Sequence, residues 1–202
     1  MLAKVSIALT MVVRPGLITP LHPRTGLPDK YPYDYERAIV LNDGRTVHVR
    51  PIVPGDAVVL ANEVKATDPE TIYQRFFSPG ITFDEERINF LTELDYEKRF
   101  AIAAFAEGDG IAIARFEPAG ERAAEVAVVV KPDWRRAGLA TELFKLLEDA
   151  ALERDIDQFE AFYLAENHAI ERVLVKRGFG NVEIEHGIAR VTKTLRPETE
   201  HG

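Results

Sequence analysis

Val126-Ala127-Val128-Val129-Val130-Lys131-Pro132-Asp133-Trp134-Arg135-Arg136-Ala137-Gly138-Leu139-Ala140-Thr141 is an apolar, β-branched run that stops at a proline, turns through a glycine-bearing loop and opens a helix. The continuous run Val126 to Val130 reads as a central strand covered on both faces. After Gly138, Leu139, Leu143, Leu146, Leu147 and Ala150 recur at helical intervals, with Glu142, Lys145, Glu148 and Asp149 on the other side, so one helix face packs on a sheet. A loop ending at a helix N-terminus aims several backbone N–H groups at one spot, and the helix dipole adds partial positive charge there; both suit a pyrophosphate. The spacing Arg135-x-x-Gly138-x-Ala140 has neither the Lys-Ser/Thr of an ATP-binding P-loop nor the three glycines of a dinucleotide fold. Taken alone, these residues fit a diphosphate cradle and an ordinary strand–loop–helix junction about equally well.

Composition narrows the class. A chain of 202 residues that is 46% hydrophobic buries one substantial core, as one domain with an extension. Cysteine is absent, which removes disulfides, cysteine-ligated zinc and a cysteine acyl-enzyme. A net charge of −8 argues against nonspecific nucleic-acid binding, which depends on many Lys and Arg. His22, His48, His168, His186 and His201 show no ligand spacing, so no metal is expected and they read as surface or loop residues. The apolar stretch Val5 to Val13 ends at Arg14-Pro15-Gly16 without a cleavage pattern and is too short to span a membrane. An edge strand, a packing arm in a homo-oligomer and a misassigned start remain its readings, and cytoplasmic residence follows by default.

Residues 1–35 read as an N-terminal extension, because Arg14 to Tyr35 is rich in Pro and Gly; 36–196 form the domain and 197–202 a frayed tail. Asn42-Asp43-Gly44 marks a hairpin between Ala38–Leu41 and Thr46–Val49. Helices start at Pro54-Gly55-Asp56, at Asp68-Pro69-Glu70 and at Asp84, the last running through Leu94. Phe100–Ala106, Ile111–Phe116 and Ala123–Val130 form an antiparallel meander. Gln158–Leu164 should pair parallel beside Val126–Val130 through a right-handed crossover. Asn167 then caps a helix ending at Gly178, and Val182–Glu185 with Ile188–Thr194 close the sheet as a hairpin. The pattern implies an α/β fold with a central mixed β sheet and helices on both faces.

The Arg135-x-x-Gly138-x-Ala140 turn resembles the Arg/Gln-x-x-Gly-x-Gly/Ala signature of GNAT-superfamily N-acetyltransferases. Tyr31-Pro32, Gly44-x-x-Val47-x-x-Arg50-Pro51-Ile52, Tyr73-x-Arg75-Phe76-Phe77-Ser78, Leu91-Thr92-x-x-Asp95-Tyr96 and Ala124-Glu125-Val126-Ala127 are similar to segments of bacterial Pat-type protein lysine acetyltransferases, over about Tyr31 to Leu195. Tyr73, Phe76 and Phe77 taken singly read as core aromatics on a helix.

The resemblance implies the GNAT acyl-CoA N-acyltransferase fold, acetyl-CoA as cosubstrate without a metal, and an amine acceptor, with a protein lysine ahead of a small-molecule amine; a non-catalytic acyl-CoA sensor is the third reading. It implies backbone contacts from Val128, Val129 and Val130 to the thioester and pantetheine. The pyrophosphate would take N–H groups from Arg135, Arg136, Ala137, Gly138, Leu139, Ala140 and Thr141, with charge from Arg135 or Arg136. Asn167 is a further cofactor contact or a plain helix cap, and Arg172 or Lys176 a candidate for the 3′-phosphate. Glu125 is implied as general base, against the bland alternative of a solvated strand-end glutamate. Many GNAT enzymes place a general-acid tyrosine where this chain has Leu174, and Tyr163 nearby reads as a core residue. A base has work to do, since a lysine of ordinary pKa is neutral in about one molecule in 2,500 at pH 7, a deficit of about 4.6 kcal/mol.

Overall fold

The structure, a computed structural model, describes residues 27–67, 72, 73, 77 and 81–196. The apolar stretch Val5–Val13, the helix start at Asp68, Phe76 and the tail 197–202 lie outside the described residues. So do His22, His201 and the greater part of the proposed extension.

Among the described residues one eight-stranded sheet organises the chain. Its strands are β1 (Arg37–Val40), β2 (Thr46–Pro51), β3 (Phe100–Ala106), β4 (Asp109–Pro118), β5 (Ala123–Val130), β6 (Gln158–Leu164), β7 (Gly180–Glu185) and β8 (Ile188–Thr194). They lie in the order β1-β2-β3-β4-β5-β6-β8-β7, antiparallel everywhere except between β5 and β6. Two hairpin turns place a left-handed non-glycine residue beside a left-handed glycine: Glu107 and Gly108 between β3 and β4, His186 and Gly187 between β7 and β8.

Helices cover both faces. On one side α1 (Ala57–Ala66) and α2 (Glu85–Thr92) lie over the face bearing Ala101, Ala103 and Phe105. Asp84 starts α2 by accepting the Arg87 N–H at 2.9 Å, as its position before the apolar pattern predicts. On the other side α3 (Leu139–Leu152) buries Leu139, Leu143, Leu146, Leu147 and Ala150. This stripe joins Phe100, Phe116 and Phe159 in the main core. The fourth helix, α4 (His168–Lys176), adds Leu174 to that core, and Phe144 meets Phe179 edge-on.

Three expectations need correction. Val126 is 3% exposed but Val129 is 40% exposed, so β5 is covered on both faces only at its start. Its parallel partnership with β6 involves Ala123, Ala124 and Glu125 rather than Val126–Val130. Finally, Tyr31 and Tyr35, counted with the extension, are core residues at 4% exposure each.

Candidate active site

The three-residue pairing of β5 and β6 creates the site. Ala123, Ala124 and Glu125 pair with Gln158, Phe159 and Glu160, while β6 pairs along its whole length with β8 on its other side. Beyond Glu125 the two strands part. Val126 to Val130 stay bound to β4 on one side, Val128 opposite Ala114 and Val130 opposite Ala112. Their other side lies along the opening, where strand-edge N–H and C=O groups suit an extended amide-bearing chain.

The cradle lies at the open end. A single 3-10 turn, Pro132–Trp134, leads out of β5, after which Arg136 (φ 64°) and Gly138 (φ 88°) adopt left-handed backbone and swing the chain into α3. The left-handed backbone calls for glycine, and a Cβ there would also sit 2.7 Å from the Asn42 side-chain nitrogen and displace that amide. The β1–β2 turn braces the loop: the Asn42 N–H donates to the Ala137 carbonyl at 3.0 Å and Arg45 donates to the Asp133 carbonyl at 3.1 Å. The Arg45 guanidinium also lies 4.0 Å over the Trp134 ring. Sequence reasoning missed Asn42 and Arg45, because a turn signal says nothing of the distant loop it will touch.

Ala137 and Leu139 point into the core, so any contact they make with a ligand is through backbone. Gly138 provides no side-chain cap, which leaves the first N–H groups of α3 for another acceptor. Arg135 and Arg136 are exposed, and Arg135 Nε donates to the Val130 carbonyl at 3.0 Å. This bond ties the first cradle arginine to the end of the β5 edge. The loop therefore fits a diphosphate ester: backbone donors at a helix start, a glycine forbidden a side chain, and two exposed guanidinium groups.

Glu125 stands on the last rung before the strands part, in a row of three glutamates. Glu117 of β4 is directly opposite on one side and Glu160 of β6 on the other. Carboxylates facing one another across strands repel, and arginines pair with the outer two. Glu117 accepts from Arg99 at 2.8 Å and from Arg115, while Arg190 binds Glu160 at 2.8 to 2.9 Å. The half-buried Glu125 lies between these neutralised pairs.

The remaining expected residues are placed plainly. The Asn167 side chain accepts the Ile170 N–H at 3.2 Å, the cap geometry, on the loop after β6 across the opening from the cradle. Leu174 is buried in the core, and Tyr163 is a core residue whose phenol pKa is raised by burial. Tyr73 is 36% exposed, which corrects its reading as a core aromatic. His168 and His186 are exposed, whereas His48 is half-buried in β2 rather than on a loop. No cluster of His, Cys, Asp or Glu able to hold a metal occurs among the described residues.

Comparison with known proteins agrees with this geometry. The GNAT domain of S. lividans PAT superposes with a TM-score of 0.76 at 30% identity, over 82% of this chain and 99% of that one. Acetyltransferase Pat of Mycolicibacterium smegmatis is 28% identical over 163 residues, 79% of this chain but 49% of that protein, so the chain spans about half the length of that relative. Acetyltransferase PA5475 of Pseudomonas aeruginosa is 26% identical over 144 residues, 69% of this chain and 77% of that protein. Residues 46–180 match the family described as the acetyltransferase (GNAT) domain. The chain belongs to the GNAT acetyltransferase family.

Proposed function

We propose that this chain transfers an acetyl group from acetyl-CoA directly to a primary amine, a protein lysine, with Glu125 as general base. The observation that carries the reading is the position of Glu125, on the last rung shared by β5 and β6 and one residue before the β5 edge opens. In this reading the diphosphate of the cosubstrate rests on residues 135–141 and its amide-bearing arm runs back along Val130, Val129 and Val128. The thioester then lies beside the vertex, where a β5 N–H polarises its carbonyl as negative charge develops. Glu125, directly or through one water, takes the proton from the attacking amine. A buried leucine stands at 174. Thiolate departure is accordingly assisted by solvent and backbone dipoles. The choice of a protein lysine rests on the Pat-type segments.

The test is a Glu125→Gln variant. Its acetyl-CoA affinity should stay within about threefold of wild type, while turnover falls roughly 10²- to 10⁴-fold, the usual span for a lost general base. Full turnover in that variant would remove Glu125 from the mechanism. Mass spectrometry of an extract incubated with labelled acetyl-CoA identifies the acceptor: labelled proteins support the lysine reading, and labelled small metabolites alone sink it.

A further inference from the structure

Between α1, α2 and the sheet lies a cavity of about 200 Å³ to which no role has yet been given. Its walls include Leu60 and Val64 of α1, Leu91 of α2, and Ala103, Ile113 and Val129 of the sheet. The charged groups around it are engaged with one another. Asp56 holds Arg50 through two bonds of 2.7 Å, Glu63 pairs with Lys131 at 3.2 Å, and Arg115 is bound to Glu117. Such a chamber suits an occupant without polar atoms, because a polar group entering it would lose water and find its partners taken.

Register ties the cavity to the reaction centre. Ile113 is opposite Val129 and Arg115 opposite Ala127, so the chamber lies on the sheet face that carries Glu117 and Glu125. Its nearest wall residue, Arg115, is two rungs along from that pair, roughly 7 Å at ordinary strand spacing. Val129 belongs to both places. Its half-exposed side chain lines the cavity, and its backbone is part of the open β5 edge.

We infer that this cavity receives the acyl tail of a CoA thioester, and that the enzyme takes straight acyl chains of about four to six carbons as well as acetyl. The inference rests on the reading above that the β5 edge holds the thioester. An acyl tail past its carbonyl has no polar atom, whereas an acceptor lysine must keep its ammonium and flanking amides hydrated or paired. Size agrees, since an apolar cavity of about 150 Å³ accommodates benzene, six carbon atoms. The Lys131–Glu63 pair spans from the end of β5 to α1 and lines the chamber on that side.

Titration calorimetry of the purified chain with CoA, acetyl-CoA, butyryl-CoA and hexanoyl-CoA, with acceptor kinetics beside it, tests this. Affinity should rise by up to ~fourfold per added methylene, the equivalent of ~0.8 kcal/mol for each buried CH₂. Ala103→Leu, which fills the chamber and touches neither the cradle nor Glu125, should abolish the gain while leaving acetyl-CoA binding as it was. Ile113→Ala, which enlarges it, should move the preference to longer chains. Thermal melts of each variant confirm folding. Equal affinity for all thioesters in the wild-type chain overturns the inference. So does an Ala103→Leu variant that keeps its chain-length profile but raises the acceptor KM, which would assign the chamber to an apolar part of the acceptor. Absence of binding by CoA and acetyl-CoA alike is a different failure, that of the cradle itself.

Discussion

Gly138 shows how much one residue can decide. Its φ of 88° and the 2.7 Å approach of Asn42 to a would-be Cβ make two separate demands, and a double-mutant cycle separates them. Gly138→Ala should cost ~1–2 kcal/mol for the left-handed backbone alone, plus the clash, and should weaken acetyl-CoA binding about tenfold or more. Adding Asn42→Ala removes the clash but not the backbone strain, so it should restore only part of both losses in denaturant titration and calorimetry. Unchanged acetyl-CoA affinity in Gly138→Ala would show that the cradle geometry is irrelevant to binding. At this scale the sequence was half legible. Gly138 announces itself by standing between a strand pattern and a helix pattern, and Glu125 by being the lone charge in an apolar strand. Asn42 and Arg45 do not, because their importance comes from which loop the folded sheet lays against their turn.

Among the elements, local chemistry was legible and partnership was not. Periodicity and caps predict α2, α3, α4 and both outer hairpins to within a few residues, since each depends on its own side chains and turn. Asp84→Ala should lower stability by about 1 kcal/mol through loss of the α2 cap, measurable as a lower denaturation midpoint with unchanged slope. Because α2 contributes Leu91 to the acyl chamber, acetyl-CoA affinity should change little while the gain for longer chains shrinks. An equally stable variant would mean that the cap bond is replaced by solvent. The five-residue run Val126–Val130 misleads for a physical reason. An uninterrupted apolar strand is the signature of a strand flanked on both sides, and no residue in it records that β6 leaves after three rungs. Half of that strand is apolar because it lies on the core and the chamber, not because a neighbour covers it.

For the molecule as a whole, the end of the lead-in is structural. Tyr31, Tyr35 and Tyr96 are buried, and their hydroxyls donate to Glu36 at 2.8 Å, Glu153 at 2.7 Å and the Ile52 carbonyl at 2.8 Å. Burial, reinforced by carboxylate neighbours, raises all three phenol pKa values above the ordinary value near 10. A raised folded-state pKa contributes stability that is fully present below the unfolded value and is lost as pH rises toward the folded one. The fold should therefore be insensitive to these groups at neutral pH and weaken progressively above about pH 10. Phenolate absorbance and circular dichroism followed together should show these phenols ionising only as the chain unfolds; complete phenolate formation with unchanged dichroism would contradict it. The proline and glycine content of this segment reads as a lead-in, whereas the resemblance, which starts at Tyr31, already includes its end.

The narrow seam between β5 and β6 also has a mechanical meaning. Two stiff plates, β1 to β5 and β6 to β8, meet along three rungs, while the rings of Phe100, Phe116 and Phe159 run beneath the join as a continuous rivet. Such a joint is held at the riveted end, and past Glu125 no rung between β5 and β6 holds the other. A molecule threaded into the gap would act as a splint, and the stiffness of the whole sheet would then depend on whether the enzyme is loaded.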